Sequence, residues 1–148
     1  MIAGGSVFVD TNVLLYSISA TEPLKQPFAQ QWMDLIWRED KGRISWQVIH
    51  EFYSRAVRKL GVTPPVARSV VNRLLAWSPE PTTQATVIRA WHWCDAAQVN
   101  YWDALILAAA ESAGCQWLLT ENFQNGQKFG VVTIVNPFLS APAELGLA

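Results

Sequence analysis

Three short apolar runs constrain this chain more than any other feature. They are Ser6-Val7-Phe8-Val9, Trp117-Leu118-Leu119-Thr120 and Val131-Val132-Thr133-Ile134-Val135. Each is rich in β-branched or large apolar residues and too short for a helix, so each reads as a buried strand. The stretches between them follow helical spacing. Phe28, Trp32, Leu35 and Ile36 predict a helix ending near Glu39. Val48, Ile49, Phe52, Tyr53, Ala56, Val57 and Leu60 form a regular stripe stopped by Gly61. Pro64-Pro65 opens a helix through about Trp77, and Thr83 or Thr86 starts one reaching Gln98. Asn100 caps a helix through Ala113, ended by Gly114. A short helix is expected from Val13, a short strand at Arg43-Ile44-Ser45, and a turn at Asn125-Gly126.

Strands separated by helices predict an α/β fold: three layers, α/β/α, around a central and mostly parallel sheet. One domain is expected over residues 1–138, with a small apolar tail at 139–148 that should fray or pack weakly. In such sheets ligands bind beyond the carboxyl ends of the strands. That rule draws attention to Asp10 and Glu121, each just past a predicted strand.

Composition excludes several classes. With 51% hydrophobic and 16% charged residues, the chain is not intrinsically disordered. No apolar run approaches the ~18 residues that would span a bilayer, so no membrane partner is expected. Met1-Ile2-Ala3-Gly4-Gly5 has no basic region, so no leader is expected. A net charge of −1 gives no global attraction to nucleic acid, and any such binding needs a local patch. Cys94 and Cys115 have no metal-ligand spacing and suit a reducing compartment, which places the protein in the cytoplasm. Trp91 and Trp93 lie roughly 200° apart on one helix, so they cannot both face the same core. One is expected to meet another element or a second subunit, and the assembly expected is a homodimer.

Four acidic positions carry the chemical interest. Asp10 follows the first strand, where it serves equally well as a helix cap or as a carboxylate at the sheet rim. Asp103 stands in the first turn of a helix, Trp102-Asp103-Ala104-Leu105-Ile106-Leu107-Ala108-Ala109-Ala110, that is apolar on nearly every side. Burial there is costly unless a cation or a hydrogen-bond donor compensates. Glu51 falls outside the apolar arc of its helix, near Arg55, Arg58 and Lys59. It suits a solvated Glu51–Arg55 pair, or a polar face lining a cleft with the basic residues meeting phosphates. Glu121, followed by Asn122, suits a polar loop or a fourth acidic position. Carboxylates with no His or Cys nearby suit Mg²⁺ or Mn²⁺ rather than Zn²⁺.

Taken in order, these segments resemble the motifs of PIN-domain nucleases. Phe8-Val9-Asp10-Thr11-Asn12-Val13-Leu14-Leu15-Tyr16 resembles the opening motif, and Val48-Ile49-His50-Glu51-Phe52 the helix carrying the second acid. Tyr101-Trp102-Asp103-Ala104-Leu105-Ile106 resembles the third motif, and Leu118-Leu119-Thr120-Glu121-Asn122-Phe123 with Gly126-Gln127 the fourth. Val135-Asn136-Pro137-Phe138 resembles the closing strand. The resemblance covers residues 6–138, and the VapC-type toxins of bacterial toxin–antitoxin pairs are the subgroup it resembles most.

The resemblance implies a metal-dependent endoribonuclease that leaves 3′-hydroxyl and 5′-phosphate ends, with an antitoxin protein as partner. It implies Asp10, Glu51 and Asp103 as metal ligands and catalytic acids. The family usually has Asp where this chain has Asn122, so one well-held Mg²⁺ (or Mn²⁺) and a second, weaker site are expected. Glu121 compensates if its side chain turns inward. Arg55, Arg58 and Lys59 are the expected RNA-backbone contacts, and Trp46 and Trp102 the aromatic residues placed to touch RNA. Two other classes compete. A non-catalytic binding module would keep the fold and use Asn122 as the mark of a lost site. A phosphoacceptor or DxD phosphatase also carries Asp after its first strand, but the second acid it needs is Asn12 here.

Overall fold

Val7–Val9 form β1, an interior strand of the sheet, and all three side chains are shielded from solvent. The structure, a computed structural model, describes residues 5–147. Residues 1–4, part of the stretch expected to carry no leader, and residue 148 lie outside the described residues. β1 pairs in parallel with β2 (Gly42–Arg43) on one side and β3 (Trp117–Leu119) on the other. β3 pairs in parallel with β5 (Val132–Val135), and β4 (Lys128–Phe129) closes the edge antiparallel to β5. The order is β2-β1-β3-β5-β4. Near-continuous apolar strands are what a sheet covered on both faces requires, and the chain has the expected three-layer α/β/α fold.

Among the described residues six α-helices surround the sheet: α1 (Thr11–Ile18), α2 (Gln26–Arg38), α3 (Trp46–Arg58), α4 (Pro64–Leu74), α5 (Gln84–Ala97) and α6 (Tyr101–Ser112). α1 packs on α2 and α3, and α3 on α4; α5 packs on α6, which lies against β3 and β5. The stripe on α3 buries Val48, Ile49, Phe52 and Ala56, as its spacing predicts. α6 buries seven consecutive residues, Ala104 to Ala110. Gly61 and Gly114 take left-handed φ values of 66° and 73° just past α3 and α6, the conformation that ends a helix at least cost. At Gly42 a Cβ would stand 2.3 Å from the Trp77 ring, so only glycine lets that indole seat against β2.

Several details depart from the expectations. α1 starts at Thr11 rather than Val13, because Asp10 caps it and accepts from the Thr11 N–H at 2.7 Å. β2 lies one residue earlier than expected, and Ser45 caps α3, accepting from the Val48 N–H. The edge strand β4 has no apolar run to announce it. The tail folds back on the domain. Pro142–Leu145 form a helical turn against α2, Leu147 is buried, and the Leu147 N–H donates to the Pro142 carbonyl at 3.1 Å. Its apolar side chains find cover that composition alone cannot reveal. Trp93 is the inward tryptophan of α5, edge-on to Phe129, and Trp91 is 55% exposed. Among the described residues, no helix is long and apolar enough to cross a membrane.

Candidate active site

Strand register brings the first two site segments together. Val9 pairs with Leu119, so Asp10 and Thr120 leave the sheet side by side, and the Asp10 N–H donates to the Leu119 carbonyl. Asp10 is therefore both the cap of α1 and a carboxylate at the rim. Its Oδ1 accepts from the Thr11 N–H, and its Oδ2 from the Thr120 hydroxyl at 2.8 Å.

Glu51 arrives from α3. The Thr11 hydroxyl donates to its Oε1 at 2.8 Å, tying α3 to the start of α1. Asp103 arrives from the first turn of α6. Asn100, the cap of that helix, accepts from the Asp103 N–H and returns its Nδ2 to the Asp103 carboxylate at 2.6 Å. Asn122 stands between the acids. Its Nδ2 donates to Asp10 Oδ2 at 3.4 Å and to Asp103 Oδ1 at 3.5 Å, and its backbone N–H to the Thr120 hydroxyl. The Asn122 amide occupies the space where a second negative charge would meet strong repulsion.

Asp10, Glu51, Asp103 and Asn122 all line one cavity of about 440 Å³, together with Arg55 and Gln47. Among the described residues, none of the three carboxylates is seen paired with a cation, in contrast to Glu121 with Lys25 and Glu111 with Arg89. Burial, augmented by the nearby Asp103 and Glu51 charges, pushes the Asp10 carboxyl up to about 6, against the opposing pull of its Thr120 and Thr11 hydrogen bonds.

The remaining expectations divide. Arg55 lines the cavity, whereas Arg58 and Lys59 do not, because they lie one turn further along α3 on the exposed surface. Arg58 still falls within roughly 20° of Glu51 around the helix, about 10 Å further along its axis. Glu121 does not turn inward. Its carboxylate accepts from the Tyr16 hydroxyl and pairs with Lys25 Nζ at 2.9 Å, and Lys25 also sits over the Tyr16 and Phe138 rings. These partners satisfy Glu121 away from the acid cavity. Gln47 is a lining residue the sequence reading missed, one polar side chain among many on a helix face. Asn100 was legible as a cap but not as the residue that holds the Asp103 carboxylate.

The donor set suits a hard divalent cation: three carboxylates, all oxygen donors, none of them ion-paired among the described residues. Asn12, which lines the same cavity, also keeps a buried Oδ1 with no hydrogen-bond partner. Among the described residues, no three His, Cys, Asp or Glu side chains are drawn tightly enough together to make a finished metal cage. What the cavity offers is carboxylate oxygens from three segments rather than a preformed cage.

The family model described as PIN domain matches residues 7–124. Among solved structures, the chain resembles a toxin–antitoxin complex from Klebsiella pneumoniae at 20% identity and a TM-score of 0.62, covering 89% of this chain and 98% of that one. At that identity the likeness is one of fold. A search of curated proteins gives no match.

Proposed function

The chain belongs to the PIN domain family, and from that premise we propose that it is a Mg²⁺- or Mn²⁺-dependent endoribonuclease, the toxin of a toxin–antitoxin pair. One observation carries the reading. Asp10, Glu51 and Asp103, from three separate segments, face a single cavity, and among the described residues none of the three is ion-paired. Such a cluster is unfavourable in isolation and becomes favourable when a divalent ion joins it.

Asp10, Glu51 and Asp103 would hold the ion. Bound there, it would withdraw charge from a phosphodiester oxygen and make water a better nucleophile. The protein's own groups do the rest. Thr120 and the Thr11 N–H aim the Asp10 carboxylate, and Asn100 aims Asp103. Glu51, steered by the Thr11 hydroxyl, would complete the ligand set or take the proton from attacking water. Arg55 meets the phosphate charge at the cavity wall, and Arg58 and Lys59 continue a basic path for the backbone. The water oxygen would bond to phosphorus as the bond from phosphorus to O3′ breaks, and the departing O3′ would take a proton from solvent, leaving a 3′-hydroxyl and a 5′-phosphate.

The same reading supplies a small antitoxin protein that covers the cavity, a cytoplasmic location and a homodimeric assembly. The test is cleavage of structured RNA by the purified protein with Mn²⁺. Asp10→Asn should lower the rate at least ~100-fold, the upper end of the loss when even an outer-shell partner of a bound ion is removed. Unchanged cleavage would remove the site. A second reading rests on Asn122, whose amide donates to both Asp10 and Asp103 and gives the cluster an internal, neutral tie. A binding module would need nothing more. New 5′-phosphate ends appearing in the same assay would exclude it.

A further inference from the structure

Beside the acid cavity runs a second cleft, of about 590 Å³, which the nuclease reading does not use. Glu51, Gln47 and Trp102 line both, so the two spaces adjoin across one shared wall. The first residues of two helices bring large aromatic rings to it. Trp46 opens α3 and is 40% exposed; Tyr101 and Trp102 open α6, and Trp102 is 64% exposed. Each tryptophan has a ring neighbour at its side: His50 lies 6.0 Å from Trp46, and Tyr101 lies 5.6 Å from Trp102. Aromatic surface of this extent is costly to leave in water, and here it borders the presumed chemistry.

We propose that this cleft is a stacking site for an unpaired RNA base next to the scissile phosphate, with Trp102 and Trp46 as its platform. The inference rests on the nuclease reading and adds the form of substrate to it. Charge separates the two spaces. Among the described residues that line the cleft there is no lysine or arginine, so it suits an uncharged base rather than a phosphate. Arg55, the cation suited to phosphate, lines the acid cavity. A strand whose phosphate lies at the acids would therefore present its neighbouring base across the shared wall. Gln47, which donates to the Trp102 carbonyl at 3.2 Å, and Thr82 put amide and hydroxyl groups within the cleft for the base edge. A base locked in a duplex cannot splay onto such rings, so the site favours loops and single strands.

The experiment compares wild type, Trp102→Ala, Trp46→Ala and Trp102→Phe. Binding is measured by anisotropy with a cleavage-resistant phosphorothioate oligouridylate and with a fully paired RNA duplex, and cleavage of structured RNA is followed in parallel. Each alanine variant should weaken oligouridylate binding by about tenfold or more, from the energy of one base–aromatic stack. Trp102→Phe should keep most of the affinity, and duplex binding should change little. Wild-type cleavage with undiminished oligouridylate binding by both alanine variants overturns the stacking site and leaves the nuclease reading standing. Absence of wild-type cleavage, with the tryptophan-dependent binding intact, overturns the nuclease reading and keeps the base site. An equal loss on oligouridylate and duplex also overturns the inference, since it would mark a general surface contact. So would variants that keep RNA binding but lose a co-expressed protein partner, which would make the cleft a protein-docking face.

Discussion

The Thr120 hydroxyl donates to Asp10 Oδ2 at 2.8 Å, joining the ends of two parallel neighbours that lie 110 positions apart in sequence. Thr120 is fully buried, and Asp10 nearly so. A hydrogen bond to a buried carboxylate stabilises the charged form, and here it opposes the burial that pushes the Asp10 carboxyl up. Thr120→Val keeps the shape and deletes the donor. Without it the Asp10 carboxyl should climb further, and the folded state should lose about 1.5–3 kcal/mol at neutral pH, the scale for a bond to a charged group. Urea unfolding would measure the loss. Mn²⁺ binding in this variant should also need a higher pH than in wild type, because ion and proton compete for one carboxylate.

Removal of the charge itself should have the opposite effect on stability. The Asp10 carboxyl is raised from 3.8 to about 6 in the fold, so the folded state holds a proton that the unfolded chain has already released. Stability from this group is therefore greatest below the unfolded value and is lost as pH rises through about 6. Asp10→Asn carries no charge to lose. Without metal at neutral pH it should be more stable than wild type by up to about 3 kcal/mol. The gap should narrow as pH falls from about 6 towards 4. Mn²⁺ should raise the melting temperature of wild type and leave that of the variant unmoved. A variant less stable than wild type at every pH would refute the charge-burial account.

Asn122 tests the cluster from the other side. Its Nδ2 donates to both Asp10 and Asp103, so Asn122→Asp replaces two attractive contacts by two repulsive ones. Without metal the variant should be less stable by about 1–3 kcal/mol. With Mn²⁺ the order should reverse, because added ligand charge tightens a hard-cation site, here by at least about tenfold in Kd. Calorimetry reads both affinity and stoichiometry. A second ion appearing only in the variant would show that Asn122 limits the native site to one; unchanged affinity would place the ion elsewhere.

Much of this arrangement was legible in the order of residues. Apolar runs separated by helical stripes are enough to predict a parallel layered sheet, and the rule about strand ends leads directly to Asp10. The Glu51 helix face and the first-turn position of Asp103 also follow from period and capping. What was not legible depends on partners remote in sequence. β4 is a two-residue edge strand, defined by pairing with β5 rather than by its own composition. The tail packs because α2 offers a surface, and nothing within 139–148 records that surface. Spacing could not tell whether Glu121 points inward, because its orientation is decided by Lys25 and Tyr16, roughly a hundred positions away in sequence.

Glu121 therefore gives a clean contrast with its neighbours in the fourth motif. Its carboxylate belongs to a tie between the loop after β3, α1 and the segment before α2. The Lys25 and Glu121 side chains are 37% and 23% exposed, so solvent screens much of their attraction. Hydrogen bonding to Glu121 holds the Lys25 ammonium above its usual range, and burial with the Glu121 contact raises the Tyr16 phenol. Glu121→Gln keeps an acceptor for Tyr16 and removes only the charge. It should cost no more than about 1 kcal/mol and leave Mn²⁺-dependent cleavage within about threefold of wild type, less than 1 kcal/mol of barrier. Asp103→Asn, measured beside it, should lose nearly all cleavage with its fold intact by circular dichroism. Equal losses in the two variants would return Glu121 to the reacting centre and show that the tie to Lys25 breaks when substrate binds.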